Sequence, residues 1–595
     1  MISPIQYVGN EVANIDYHHG QLRPLVGAAH YQVLRANRSH PKQAEDLGWT
    51  YNHAPMLAYW KGRFHLEYLS DPVGEHQPPG HTLLTRSSDG MHWEKPKVIF
   101  PVYTAPDGAH PDLPAQSQAI MHQRMGFYVA PDGRLLALGF YGLLPTPNDG
   151  HGIGRVVREV HENGACGPIY FLRYNRHAGW DETNTLYPPY TASPEAGFVQ
   201  ACEALLANKL VTLQWWEEDR SPDGFYAVEG YKALSAYHLP DGRVVGLWKW
   251  SKTALSNDEG HTWTPVMDAP SLIMSGAKVW GQRTPDGRYA LVYNPSSDDG
   301  HRWPLAVVTS DDGLTFDHLR LVNGRASPRR YAGQYKDLGL NYVRGISEGN
   351  GTPPGDAFWV TYSMNKEDIW VSRIPVPIRD TVNVPVNDVF AHFPAGSDVP
   401  EWDIHSGLWT SVKIVDNSPT GERCLCLADC DPYESAQAER IFPTSRTVSV
   451  SLRVQAAQTE HGMLAIELAD PRGAAAVQIA LRADGQIWAR SACHWHAVGR
   501  YRAHEARDIT LSADATRQRY RLSLDGQVAL EEGTFARAVS TLHRVTFRTG
   551  PSYTQPTPET DHHAGGDLPD ADTPVPQATY YLHWLRTEHA PDEKL

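Results

Sequence analysis

The sequence predicts an all-β chain in which a ring of β-blades, a propeller, is followed by a β-sandwich, and three observations predict it. A Pro-Asp-Gly-Arg turn occurs at Pro131-Asp132-Gly133-Arg134, Pro240-Asp241-Gly242-Arg243 and Pro285-Asp286-Gly287-Arg288, each ahead of an apolar run. Asp-Gly accepts positive φ at little cost and so marks tight hairpins. An octet with fixed Ser, Asp, Gly and aromatic positions reads Ser256-Asn257-Asp258-Glu259-Gly260-His261-Thr262-Trp263 and Ser296-Ser297-Asp298-Asp299-Gly300-His301-Arg302-Trp303, with shorter forms from Ser87 to Trp93 and from Ser310 to Phe316. Its Asp can accept bonds from the turn's own N–H groups while the aromatic packs the outer strands, so it marks hairpins rather than sites. Finally, Pro240 and Pro285 stand 45 positions apart, the period of one four-stranded blade.

Taken in order, the stretch before Tyr51 holds an entry strand and a long loop. From Tyr51 to about Pro377 short apolar segments such as Met56–Trp60, Phe64–Tyr68, Leu135–Phe140 and Ala357–Tyr362 alternate with Gly, Pro and Asp turns, the pattern of strands. Glu195 to Lys209 is the clearest helix, inserted between strands. Residues 1–380 have room for seven blades of roughly 40 to 50 residues, with six as the alternative. The run Ile374-Pro375-Val376-Pro377 reads as an extended connector, because Pro is excluded from central strands. Residues 390–595 then carry alternating strands at Val448–Val454, Met463–Leu468, Ala475–Leu481, Arg519–Leu524 and His543–Phe547, which predict a lectin-like sandwich or jelly roll. The Pro-, Asp-, Thr- and His-rich stretch from Tyr553 to Gln577 reads as a mobile insertion before a last strand at Ala578–Leu585.

At 595 residues the chain exceeds the size of one core, so two domains are expected. A formal charge of −15 and the lack of long basic runs argue against nucleic acid. A local basic pocket for an anionic sugar is compatible with that total, because a cleft's field is set by its own lining. Eighteen Trp and 28 Tyr against 14 Phe suit sugar stacking and blade packing alike. The six Cys form no thiolate framework, and Cys424, Cys426 and Cys430 give only a weak metal hint, as do Cys493, His494 and His496. No signal peptide is visible and no stretch approaches the roughly 18 apolar residues of a membrane span. The expectation is therefore a soluble chain with no membrane partner, cytoplasmic unless a leader has been removed, in which case periplasmic or extracellular.

The segments Tyr51-Asn52-His53-Ala54-Pro55 to Gly62, Glu75-His76-Gln77-Pro78-Pro79-Gly80 and Tyr362-Ser363-Met364-Asn365-Lys366-Glu367-Asp368 to Arg373 resemble a propeller family acting on rhamnosyl-glucuronate ends of plant glycans. Its members are L-rhamnose-α-1,4-D-glucuronate lyases or α-L-rhamnosidases. Ulvan lyases and sialidases are more distant propeller relatives. The likeness covers roughly the first 380 residues. It implies a seven-bladed propeller with an axial sugar site, paired His residues on the first blades and an accessory sandwich. It carries the first catalytic His to His53. The second is His76, in the loop, in preference to His81, which begins an apolar strand. Nothing in the sequence demands a redox or nucleotide cofactor, and a structural calcium near the axis is an expectation of the resemblance alone.

The chemistry can be argued without the family. Elimination from a 4-linked uronate removes a proton alpha to a carboxylate, so the carboxylate charge must be cancelled, and Arg suits this by its fixed fork and permanent charge. Arg155 and Arg158 lie three apart on a predicted strand and point to opposite faces; Arg158 is the catalytic candidate and Arg155 a substrate contact. A neutral His can take the proton while its conjugate acid or a phenol protonates O4. Tyr141, flanked by Gly139 and Gly142, is the candidate phenol. Arg330, Tyr331 and Arg344 are further uronate contacts, and Trp215, in Trp215-Trp216-Glu217-Glu218, is a stacking candidate. Hydrolysis of the same linkage would ordinarily need a carboxylate pair, for which Glu217, Glu229, Glu348 and Glu367 are available without any being singled out. The expected activity is exo-acting lyase cleavage of rhamnose-glucuronate termini on a plant or algal acidic glycan. The α-L-rhamnosidase and a non-catalytic glycan-binding propeller are the alternatives.

Overall fold

A computed structural model describes residues 3–121, 126–148, 152–217, 219–274, 276–397, 399–416, 421–561 and 565–589. Each Pro-Asp-Gly-Arg segment joins the first strand of a blade to its second. The Gly133, Gly242 and Gly287 φ angles are +86°, +87° and +85°, and Gly133 N donates to Ala130 O at 2.8 Å. In the first blade Lys61 and Gly62 do the same with φ of +46° and +79°, the two positive angles that match the strand twist.

Four self-contained blades result among the described residues. The first holds Tyr51–Trp60, Arg63–Asp71, His81–Ser87 and Lys97–Phe100; the second is built on Gly126–Val129, Leu135–Gly142, Gly152–Val160 and Tyr170–Tyr174. The third holds Ser235–His238, Val244–Trp248, Lys252–Ser256 and Met267–Asp268, and the fourth Trp280–Arg283, Tyr289–Tyr293, Leu305–Ser310 and Thr315–Asn323, with Gln6–Tyr7 added at its edge. A fifth set, Leu338–Gly345, Ala357–Met364, Asp368–Pro375 and the entry strand Ala29–Leu34, closes the ring against the first blade and runs on through Ala29–Leu34 into the C-terminal domain's sheet. The expected seven blades are therefore not found among the described residues. Dividing length by a blade period counted insertions as blades: the loop before Ile120 and the stretch from Asn175 to Leu234 belong to none. That stretch holds the helix Ala196–Ala207, close to the expected bounds.

Three octets sit where the sequence puts them, between the third and fourth strands. In one, Asp312 Oδ1 accepts from Leu314 N at 2.8 Å and Thr315 N at 2.7 Å. The octet from Ser296 departs from this reading. It lies between the second and third strands of the fourth blade and leads Arg302 toward the propeller axis.

The C-terminal sandwich follows the predicted strands. Val448, Val450, Leu452 and Val454 alternate inward on Thr447–Ala456, and share one core with Ile466, Leu468, Val545 and Phe547 of the facing sheet. The described residues of the 553–577 insertion cross back onto the propeller. Asp567 accepts from Arg38 and from Ala332 N, Asp572 accepts from Tyr331 Oη, and Thr560 O contacts His301 Nε2 at 3.0 Å. Among the described residues no helix is long and apolar enough to cross a membrane.

Candidate active site

Two inner strands break their registers at the axis. Tyr51–Trp60 shifts between His53 and Met56, where Ala54 has φ +50°; Leu338–Gly345 shifts between Asn341 and Arg344, where Tyr342 has φ +56°. A left-handed Tyr in mid-strand is costly and is held only when its surroundings over-determine it. Bulges of this kind re-aim a side chain, and here they bring the His53 and Tyr342 rings to 4.6 Å between centroids.

Loops between second and third strands surround that pair. Lys249 follows the second strand of the third blade and donates to Tyr342 Oη at 3.0 Å. Lys366, in the Asn365-Lys366 turn of the fifth blade, donates to Glu75 at 2.9 Å and lies 3.1 Å from Asp337. Arg302 comes from the fourth blade and is 3.6 Å from Asp337. Lys278, entering the fourth blade, lies 4.3 Å from the Tyr342 ring centre. Glu217 faces Lys249 at 4.0 Å. Lys249, Lys278, Lys366 and Arg302 thus meet Glu75, Glu217 and Asp337, which leaves the site cationic inside an acidic protein.

These charges set the titrations. Burial pushes the Tyr342 phenol up, but the Lys249 and Lys366 charges outweigh it and hold the phenol below its ordinary value. His53 is fully buried; desolvation first, and then Lys366, Lys278 and Lys249, hold it well below the usual histidine range and therefore neutral. Its Nδ1 pairs with Ser363 Oγ at 2.7 Å, while Nε2 is buried without a hydrogen-bond partner among the described residues. Asp71, across the ladder from Tyr51, is raised by burial and then by the Glu75 charge, so it is a neutral acid.

The predicted residues divide. His53 lies at the axis. His76 sits in the adjoining loop with φ +61°, 3.8 Å from Glu75, its ring 6.4 Å from that of Tyr335. His81 stacks on Trp49 at 4.1 Å, and burial holds it down at about 4. Tyr141 is not at the axis but in an aromatic cluster with Tyr103 and Tyr187, donating to Pro101 O at 3.1 Å. Arg158 is turned the other way from Arg155, into the carbonyls of Ile99 and Gly167, so its fork is spent on the joint with the first blade. Arg155 lies between the rings of Phe140 and Trp215, at 5.1 and 5.2 Å. Trp215 and Arg344 line a narrow space farther along the channel, with Arg344 donating to Leu234 O at 3.2 Å. Arg330 pairs with Asp368, and Tyr331 bonds Ala36 O and Asp572, so both serve the seam beneath the Lys366 turn. Of the carboxylates, Glu348 pairs with His238, Glu367 holds Lys336 at 3.2 Å, Glu229 is exposed and Glu218 lies outside the described residues.

Sequence reasoning missed Lys249, Lys278, Lys366, Arg302 and the part played by Tyr342. The available signal was positional: three of these cations occupy equivalent loops of successive blades. Among the described residues no group of three or more His, Cys, Asp or Glu side chains is arranged to hold a metal ion.

Comparisons with known proteins fit this geometry. A family described as BT_1020-like, N-terminal beta propeller, matches residues 3–231, and one described as sialidase-like, CBM domain, matches residues 402–564. A solved structure titled "Sialidase" is 42% identical with a TM-score of 0.94; the match covers 98% of this chain but 54% of that one, so the chain spans about half its length. Trypanosoma rangeli sialidase in complex with sialic acid, at 11% identity, 91% and 92% coverage and TM-score 0.35, and a xylan beta-1,4-xylosidase from Bacillus halodurans, at 12%, 91% and 87% and 0.30, are too distant to carry an inference. No curated protein matches the chain. The chain thus matches a β-propeller family over residues 3–231 and a sialidase-like C-terminal domain family over residues 402–564, on an all-β architecture. The rhamnosyl-glucuronate part of the resemblance is carried by none of these matches.

Proposed function

We propose that the chain is a glycoside hydrolase that removes a terminal carboxylate-bearing sugar from an acidic glycan, with Tyr342 as nucleophile. The observation that carries this reading is the Tyr342 phenol, aimed by a bulge and held below its ordinary pKa beside Lys249. A phenolate held against Lys249 can approach an anomeric carbon next to a carboxylate, because the ammonium offsets the charge that the nucleophile would otherwise bring against the sugar's own. Lys278, Lys366 and Arg302 offer the sugar carboxylate its counter-charge. In the first step Tyr342 Oη bonds to the anomeric carbon, the bond to the aglycone oxygen breaks, and Asp71 gives that oxygen its proton. In the second, water displaces Tyr342 and returns a proton to Asp71. The "Sialidase" title of the similar structure makes a sialic-acid-like ketoside the first substrate class to test.

Elimination remains a second reading because a neutral His53 with a buried, unpartnered Nε2 adjoins the same phenol. His53 would take the proton alpha to the carboxylate and Tyr342 would protonate O4 of a rhamnose-capped glucuronate. Incubation of each substrate in ¹⁸O-labelled water distinguishes the two. Hydrolysis labels the released acidic sugar, whereas elimination leaves it unlabelled and generates the ultraviolet chromophore of an unsaturated uronate. Chromophore without label would sink the hydrolase.

A further inference from the structure

A cavity of about 480 Å³ lies in the seam between the two domains, away from the axial site. One wall is a face of the sandwich. Glu439 opposes Thr546, Thr546 opposes Glu467, and Glu467 opposes Gln478, so these four form one row across four adjacent strands. Arg544 and Arg548 flank Thr546 on the same face by the two-residue period of a strand. Outward-facing positions of a sandwich are ordinarily solvated, yet Glu439, Arg544, Thr546 and Arg548 are buried under the propeller.

The row is already compensated internally. Thr546 Oγ1 donates to Glu439 at 2.7 Å, Gln478 Nε2 donates to Glu467 at 2.9 Å, and Arg544 and Arg548 stand 3.3 and 3.5 Å from Glu439 and Glu467. Arg544 Nη1 is buried with no hydrogen-bond partner among the described residues. A net charge brought into such a paired array would be buried without a counter-ion. A hydroxyl, which both donates and accepts, meets the arginine and carboxylate edges together. Tyr17 and Tyr553 add ring surface to the lining, and the volume falls in the range of small-ligand sites.

We propose that this seam is a second saccharide site, taking an uncharged pyranose residue through its hydroxyls, independent of the axial chemistry. The test uses the full chain carrying Tyr342→Phe and a panel of free L-rhamnose, D-galactose, L-arabinose and D-glucose, read by saturation-transfer NMR and calorimetry. At least one sugar should bind, its affinity should fall at least about tenfold in Gln478→Ala and in Arg544→Lys, and it should be unchanged in His53→Ala. Gln478 is half-buried and its loss leaves the fold intact, which melting temperature checks. Binding by none of the four sugars, or binding lost in His53→Ala and kept in Gln478→Ala, would overturn the proposal. Neither result would bear on whether Tyr342 is the nucleophile, which is read separately by turnover.

Discussion

Replacing Lys249 by Met tests the proposed nucleophile more sharply than deleting the phenol. Lys249 Nζ is 3.0 Å from Tyr342 Oη. At an effective dielectric of about 20, opposite unit charges at that distance attract by about 5 kcal/mol. Only part of the phenolate's stabilisation is lost in the variant, because Lys366 and Arg302 stay in place and still favour the phenolate. Taking away a positive neighbour raises the phenol pKa, so at a given pH a smaller fraction is ionised and the alkaline-going limb of kcat/KM moves to higher pH. The expected result is about a hundredfold loss near neutrality that is recovered on raising the pH. Lys249→Arg, which keeps the charge, should shift the limb far less. The assay is a pH series of kcat/KM on an aryl ketoside of N-acetylneuraminic acid, with melting curves to confirm folding. A Lys249→Met enzyme whose limb stays where the parent's lies, at any absolute rate, would refute the argument that this lysine activates Tyr342.

Tyr342→Phe should retain binding of an acidic sugar, measured by calorimetry, while losing turnover by at least about a thousandfold. His53→Gln separates the two chemistries. Hydrolysis should persist within about tenfold, whereas elimination through His53 would lose the roughly 10²- to 10⁴-fold of a positioned acid-base group. Asp312→Ala should cost about 0.5 to 1.5 kcal/mol in urea unfolding, because Leu314 N and Thr315 N exchange their shared acceptor for water. Turn N–H bonds hold Asp312 below the ordinary carboxylate pKa, although burial opposes them, so its stabilisation is present above about pH 4 and is lost as pH falls through the depressed folded value. Residues 1–380 expressed alone should fail to give a cooperative melt. They leave the Ala29–Leu34 strand without its Trp402–Ser406 neighbour and expose the apolar core that Leu57, Phe64 and Leu66 share with the sandwich. A truncated propeller that melts cooperatively and turns over substrate would contradict this.

The legible part of the fold is the part written in local chemistry. Pro-Asp-Gly-Arg at Pro131, Pro240 and Pro285 gives a hairpin wherever it stands, because Gly at the left-handed position needs no tertiary help. The sandwich strands were readable for a similar reason: one buried face imposes alternation, as at Val448–Val454. Blade count was not local. The residues from Asn175 to Leu234 look like blade length until their helix is seen to sit outside every sheet. The partners of the 553–577 insertion were likewise not legible, because Asp567 and Asp572 bond Arg38 and Tyr331 hundreds of positions away.

The site was legible at His53 and illegible at Tyr342 for a physical reason. His53 lies in a segment whose residue types carry the resemblance, whereas Tyr342 acquires its setting from a register shift that no periodicity announces. An unshifted strand would alternate Tyr342 and Arg344 onto one face, and on that rule Arg344 was as good a uronate contact as any. The bulge parts them: Tyr342 meets Lys249 and His53, while Arg344 is drawn down the channel beside Trp215. The same cause explains why Arg was expected at the axis while three Lys residues surround Tyr342 there. Lys249, Lys366 and Lys278 come from separate blades, and only closure of the ring brings their point charges to one phenol. An Arg fork at Lys249 would compete for that phenol through several donors, whereas one ammonium can hold Oη and leave the remaining cations for the substrate. If that division of labour is right, Lys278→Ala should raise KM for the acidic sugar at least about tenfold while leaving the pH limb of kcat in place. Loss of kcat with KM unchanged would instead assign Lys278 to the phenolate and leave the sugar carboxylate to Arg302 and Lys366.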